Sequence, residues 1–299
     1  MASHHDTMTQ ELWLGAMDDD VSRIDDAIDA GVSVNAAAEE DGWTALHHAA
    51  RSRAVCALQL LIDTKAALDV KTNEEETALH LLCDQGSEVL GGAGPGAPDY
   101  LKESLIQKLL DAGADANPND GCGATPLYHA TIIGQDETVR QLLMGKADMN
   151  HKNKVGMSPL HYAATHGDGN LIQVMIECKV GDLNATNSKS QTALHLAALG
   201  SHGQVFQSLM AAGAELSKDD EGRIPLDLVP NLNDPKWLES CSRASHYAST
   251  SPRSRTESVG STGTPTSEQP PQERPGMWAT LRGRFRSLSR ESSPTSTDK

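Results

Sequence analysis

A seven-residue phrase, T-A-L-H-H-A-A from Thr44, returns along the chain at a nearly constant interval. It recurs as T-A-L-H-L-L-C from Thr77, T-P-L-Y-H-A-T from Thr125, S-P-L-H-Y-A-A from Ser158 and T-A-L-H-L-A-A from Thr192, and decays to I-P-L-D-L-V-P from Ile224. First positions are separated by 33, 48, 33, 34 and 32 residues, so the long step is one period plus an insertion of 15. A repeat of this length restricts a chain to a stacked architecture. Each unit is one supersecondary element that buries its apolar face only against its neighbours.

Every heptad is followed by a second apolar stretch, such as A-V-C-A-L-Q-L-L-I or N-L-I-Q-V-M-I. Leu58, Leu61 and Ile62, like Ile106, Leu109 and Leu110, have the three- and four-residue spacing of one helix face. A breaker then follows, D-A-G-A-D-A-N at 111–117 or A-A-G-A-E at 211–215. Gly113 and Gly213 suit the left-handed residue that closes a helix.

Five ordered copies at one period resemble the ankyrin repeat, a helix–turn–helix followed by a projecting β-turn finger, over roughly residues 10–240. The resemblance implies an all-α ankyrin-repeat solenoid. A leading unit at 10–42 lacks the heptad. Units follow at 43–75, 76–123, 124–156, 157–190 and 191–222, with a truncated end at 223–240, and the insertion falls near 86–99. The residue types suit that geometry. Thr44, Thr77, Thr125, Ser158 and Thr192 are placed to cap a helix N-terminus. Pro126, Pro159 and Pro225 occupy a first helical position that needs no donor. In the family, the histidine at the fourth position bonds to the threonine and the adjacent loop, a structural role that carries over to His47, His80, His161 and His195. Tyr128 and Asp227 depart from the pattern, so that bond is lost or changed in their units.

Histidines that recur one per layer are not a metal site, which needs three or four ligands converging. No metal, cofactor or small-molecule substrate is therefore expected. His48 is equivalent to Leu81, His129, Tyr162, Leu196 and Leu228, a mixture that leaves both packing and partner contact open. H-E-x-x-H, G-x-S-x-G and the phosphate-loop pattern are absent from the sequence. G-G-A-G-P-G at 91–96 has neither the lysine nor the preceding strand of a phosphate cradle and reads as a flexible loop. These readings point away from an enzyme.

The formal charge of −16 is unevenly spread. Residues 241–299 hold nine Lys/Arg and five Asp/Glu, giving +4, and residues 1–240 carry −20. An acidic body disfavours nucleic acid and anionic membranes and favours a basic partner. The five cysteines are scattered, without a C-x-x-C pair. With no apolar signal segment or membrane-spanning run, they suggest a reducing compartment, cytoplasmic or possibly nuclear.

Ankyrin arrays mostly bind other proteins through finger tips and the inner face of the first helices. The resemblance places Glu40, Asp41, Trp43, Arg51 and Ser52 of the second unit on that surface. Asn73, Glu74, Glu76, Asp84 and Gln85 follow in the third, and Gly121, Cys122, Ala124, Ile132 and Ile133 in the fourth. The fifth contributes Lys154, Val155, Met157, Thr165 and His166, and the sixth Ser188, Lys189, Gln191 and Leu199. The surface is acidic around Trp43, apolar in the middle and lysine-bearing later. Either Trp43 is a contact anchor or it folds against a neighbouring finger. The expected partner is a protein segment with basic residues beside an apolar stripe, and the expected role is adaptor or scaffold. The alternative is a regulatory or inhibitory subunit masking a basic segment of an enzyme or transcription factor.

Residues 241–299 are rich in Ser, Thr, Pro and Arg, which points to a disordered tail. Arginine stands three residues before Thr256, Ser258, Ser287, Ser289 and Ser293, making them phosphorylation candidates. Residues 277–290 mix Trp278, Leu281, Phe285 and Leu288 with four arginines. Read as a basic amphipathic helix, this stretch suits weak membrane contact, another protein or the acidic array; read plainly, it is an unstructured end.

Overall fold

The computed structural model describes residues 4–84, 105–179, 181–230 and Trp237. The insertion near 86–99, the phosphorylation candidates and residues 277–290 lie outside them. By internal contacts the chain divides into Met1–Ser251 and Pro252–Lys299.

Twelve helices are described: α1 His4–Asp18, α2 Val21–Asp29, α3 Ala45–Ser52, α4 Val55–Asp63, α5 Ala78–Cys83, α6 Leu105–Asp111, α7 Pro126–Ile133, α8 Asp136–Met144, α9 Pro159–His166, α10 Gly169–Cys178, α11 Ala193–Leu199 and α12 Gly203–Ala211. Odd-numbered helices pack one against the next, as do even-numbered helices, so the unit has two ranks. A 3-10 turn, Pro225–Leu228, continues the first rank against α11. Among the described residues the only β pairing is a single antiparallel bridge between Ala37 and Thr44. The helix α1 begins ahead of the leading unit expected from residue 10, since nothing between His4 and Leu12 breaks it.

The heptad is the start of each first helix. Thr44, Thr77, Thr125, Ser158 and Thr192 are extended caps, and Pro126 and Pro159 sit at the first helical position. Leu46, Leu79, Leu127, Leu160 and Leu194 are at most 2% exposed. Each contributes about 1.5–3 kcal/mol of apolar burial. The paired alanines behind them, such as Ala163 and Ala164, keep the helices close.

The histidines work at both ends of the ring. The backbone N–H of Thr44 donates to His47 Nδ1 at 3.1 Å, and the threonine hydroxyl lies 2.9 Å from the same nitrogen. His80, His161 and His195 repeat this with Thr77, Ser158 and Thr192. An accepting Nδ1 leaves the proton on Nε2, which donates onward to the next finger. The Nε2 of His80 reaches Ala124 O at 3.2 Å, that of His161 reaches Gln191 O at 3.0 Å, and that of His195 reaches Arg223 O at 3.1 Å. His47 bonds to Val70 O at 3.0 Å and to the Glu76 backbone. In the two departing units the contact changes rather than vanishes. The Tyr128 phenol bonds to the Asn153 side chain of the next finger, and the Asp227 carboxylate accepts the Ile224 N–H at 2.9 Å.

A second ladder joins the units behind the fingers. Asn35 accepts the Ala67 N–H at 2.8 Å, Asp69 that of Asp115 at 3.0 Å, Asn117 that of Asp148 at 2.7 Å and Asn184 that of Glu215 at 2.7 Å. The Asn150 amide, oriented to satisfy both partners, pairs with the backbone of Asp182. Both ladders pass the insertion unbroken, through His80–Ala124 and Asp69–Asp115. Gly113 and Gly213 take positive φ, +98° and +101°, as expected of helix-closing residues.

Burial lowers the pKa of His47, His161 and His195, and takes His80 down to about 4. Unfolded histidine titrates near ~6.5. The stabilisation is therefore complete above that pH and is lost as pH falls from it toward 4. Unfolding free energy measured in urea should be greatest above pH ~6.5 and should fall on acidification, by up to about 1.4 kcal/mol per pH unit for each such ring. His80→Gln should be less stable at neutral pH and show a shallower fall. Equal slopes for variant and parent would contradict the assignment.

Candidate functional site

From the second heptad onward the fingers are built by side chains five residues ahead of it. Asp120 Oδ1 accepts the amides of Cys122 at 2.8 Å and Ala124 at 2.7 Å. Asn153 does this for Val155 and Met157, Asn187 for Lys189 and Gln191, and Asp219 for Glu221 and Arg223. Thr72 does the same with its hydroxyl for Glu74 and Glu76. These local bonds satisfy the turn's own amides and let the tip project into solvent. Two residues before each heptad the chain turns left-handed, with Gly42, Glu75, Gly123, Gly156, Ser190 and Gly222 all at φ between +55° and +82°. The tips are linked in series: Asn73 N–H donates to Asp41 O, Gly121 N–H to Glu74 O and Lys154 N–H to Cys122 O.

A surface is thereby held in register along the first helices. At the acidic end, Glu40, Asp41 and Glu74 are exposed. Asp41 also accepts the Trp43 amide at 2.9 Å, which gives its carboxylate a structural task. Trp43 is half-buried, its ring 5.1 Å from that of His48, which also faces Trp13 at 6.2 Å. His48 is thus packed between two indoles, and burial lowers its pKa. Glu76 is half-buried; burial pushes its carboxyl up, and Glu74, Asp84 and Asp120 add to this against the pull of His129. Asp84 lies 3.9 Å from Arg51 and 3.7 Å from His129. The Arg51–Asp84 ion pair is open to water and worth at most about 1 kcal/mol. His129 Nε2 lies 2.9 Å from Asp120 Oδ2. Burial would raise the Asp120 carboxyl, but His129 and the Ala124 and Cys122 amides hold it below the ordinary value.

The middle of the face is apolar. Ile132 is 47% exposed, Ile133 37%, Val155 72% and Leu199 55%. His166 is exposed and stacks on Tyr162 with ring centroids 4.0 Å apart. A shallow cleft of about 200 Å³ opens between α7 and α9, with Ile132, Ile133, Tyr162 and His166 among its walls. Of the residues expected on the surface, Ala124 and Gln191 are buried, at 6% and 8% exposure, and Met157 is half-buried. Ala124 and Gln191 each lend a carbonyl to the bridging histidine of the preceding unit, and that bond between units draws them inward.

Sequence reading missed three features. The finger-building side chains recur at a fixed offset from the heptad, and the Asn/Asp ladder recurs three residues further upstream, so both periods were available as signals. The third is Trp237, 3% exposed and edge-on to Phe206 at 5.5 Å, which covers the last layer. Among the described residues no three His, Cys, Asp or Glu side chains converge as metal ligands. No helix there is long and apolar enough to cross a membrane.

Comparison with known proteins agrees with this geometry. The chain is 33% identical over 107 residues to human ankyrin repeat and SOCS box protein 16, covering 36% of this chain and 22% of that protein. It is 31% identical over 221 residues to human transient receptor potential cation channel subfamily A member 1, covering 73% of this chain and 18% of the channel subunit. The chain thus spans about a fifth of the length of these relatives. Residues 12–90 and 99–187 match the family described as ankyrin repeats (3 copies). With that match over more than half its length, and with the bridging histidines and linked fingers in place, the chain belongs to the ankyrin-repeat family.

Proposed function

We propose that the chain is a non-catalytic adaptor that captures a protein partner on the face made by its first helices and finger tips. Ankyrin repeats are protein–protein interaction modules. The observation that carries the adaptor reading is the group of apolar side chains left open on an otherwise well-packed rank, Ile132 and Ile133 above all. A few such residues commonly dominate binding energy. The partner is a segment that sets apolar side chains against this middle and basic ones toward Glu40, Asp41, Glu74 and Asp84. The two relatives bear unlike names, a SOCS-box protein and a channel subunit, which suits an array reused for its binding surface. We place this activity in the cytoplasm or nucleus, on the scattered cysteines.

The second reading, a subunit that masks a basic segment of an enzyme or transcription factor, is favoured by the crowded carboxylates around Glu76. It predicts an association rate that falls several-fold between low and high salt. A salt-independent rate would contradict it.

Trp43→Ala combined with Ile133→Asp should abolish partner capture from a cell extract while circular dichroism and melting remain those of a folded array. Ile133→Asp alone should weaken capture at least about tenfold, equivalent to ~1.4 kcal/mol. Unchanged capture by the folded double variant would contradict the proposal. The left-handed fingers yield a separate expectation. Ser190→Gly should stabilise the array by about 0.5–1 kcal/mol, because a side chain is strained at φ +55°. Gly156→Ala should destabilise it, since its methyl would lie 2.9 Å from Ser188 Cβ. Opposite signs in denaturant titration would overturn that account of the fingers.

A further inference from the structure

The cleft between α7 and α9 has an apolar wall and an anionic end. Its apolar part is Ile132, Ile133 and the stacked Tyr162–His166 pair, with Leu171 also among the lining residues. Its remaining polar wall is Asp168, the N-cap of α10, whose Oδ1 accepts the Leu171 N–H at 3.1 Å. The other oxygen lies over the α7–α8 turn, 3.8 Å from where a Gly134 Cβ would stand. That turn leads directly into Asp136, the first residue of α8. Asp136 is not itself a lining residue, but it stands close enough to Asp168 for the two carboxylates, from successive units, to repel one another beside the anionic end of the cleft. Burial pushes the Asp136 carboxyl up, and the charge of Asp168 pushes it further. The nearby cation, Arg140, is engaged by Glu177 at 3.2 Å and Glu137 at 4.0 Å. Among the described residues no cation lies within ion-pair distance of Asp136 or Asp168.

At about 200 Å³ the cleft falls below the ~300 Å³ at which small-molecule pockets begin. It has the size for one side chain of a protein segment. A leucine- or phenylalanine-sized group would cover the two exposed isoleucines. The next residue along that segment would stand at the carboxylates, where an arginine suits best. Its planar guanidinium is weakly hydrated and can donate to two carboxylates at once. We propose that this cleft is a docking subsite for a partner segment carrying an apolar side chain followed immediately by arginine, with the guanidinium bridging Asp168 and Asp136. The inference rests on the protein-capture reading and names the partner chemistry at one point of that surface.

The test uses the full chain with isotope-labelled isoleucine methyl groups, titrated with a short glycine–serine peptide bearing a central Leu-Arg. The Leu-Glu and Ala-Arg versions serve as comparisons. The Ile132 and Ile133 methyl signals should move saturably with Leu-Arg and at least about tenfold more weakly with either comparison peptide. Asp168→Asn keeps the cap, because asparagine caps as well as aspartate. It should reduce the preference for Leu-Arg over Leu-Glu at least several-fold. Motionless methyl signals, unsaturable shifts, or equal affinity for Leu-Arg and either comparison peptide would overturn the proposal, as would an unchanged preference in a folded Asp168→Asn variant. Failure here with capture still lost in Ile133→Asp removes the subsite and leaves the adaptor reading standing. Capture unaffected by Ile133→Asp strikes the adaptor reading itself.

Discussion

One imidazole serving two units is the contact on which the array depends. Its Nδ1 takes the amide that would be orphaned at the start of its own helix, and its Nε2–H satisfies a carbonyl in the next finger. Both bonds are buried, so they need a neutral ring, and burial supplies that condition. Losing the ring strands a buried donor and a buried acceptor, each at a cost of about 1–3 kcal/mol. Because every ring spans a junction, the cost falls on the interface between units, the quantity that decides whether a stacked array holds together. The finger bonds and the Asn/Asp ladder then fix the distance between successive tips.

Junctions without this histidine keep the same logic with other chemistry. Tyr128 is too long to fold back onto its own cap, so its phenol reaches forward to Asn153, while the Thr125 hydroxyl caps the Tyr128 amide. His129 takes up the space beside His80, edge-on at 5.3 Å, and ties the Asp120 finger to the face. Beside it Tyr128 and Tyr162 meet at 5.7 Å, and Tyr162 shares the cleft wall with the exposed isoleucines. The central chemistry of the surface thus sits beside the point where the repeat departs from its own pattern.

The period, the caps, the roles of His47, His80, His161 and His195 and the exposure of Ile132 and Ile133 were legible in the sequence. They are local consequences of a heptad repeated in register. Trp43 and His48 were not resolved there, since their packing depends on Trp13 of a unit that lacks the heptad. Ala124 and Gln191 turned inward because a carbonyl bond to another unit controls them, and spacing within one unit carries no trace of that bond. Trp237 was invisible for the same reason: its partner, Phe206, belongs to a preceding unit. The closeness of Asp136 to Asp168, which belong to successive units, is likewise a product of stacking.

A rigid stack turns these residues into one continuous surface, graded from carboxylates near Trp43 to isoleucines in the middle. Backbone amide exchange of the array, free and with its captured partner, tests that account most directly. Protection on binding should concentrate in the finger tips near Glu40 and Glu74 and at the ends of α7 and α9, leaving α4, α8 and α12 unchanged. Protection centred on the second rank of helices, with the first rank unaffected, would contradict it.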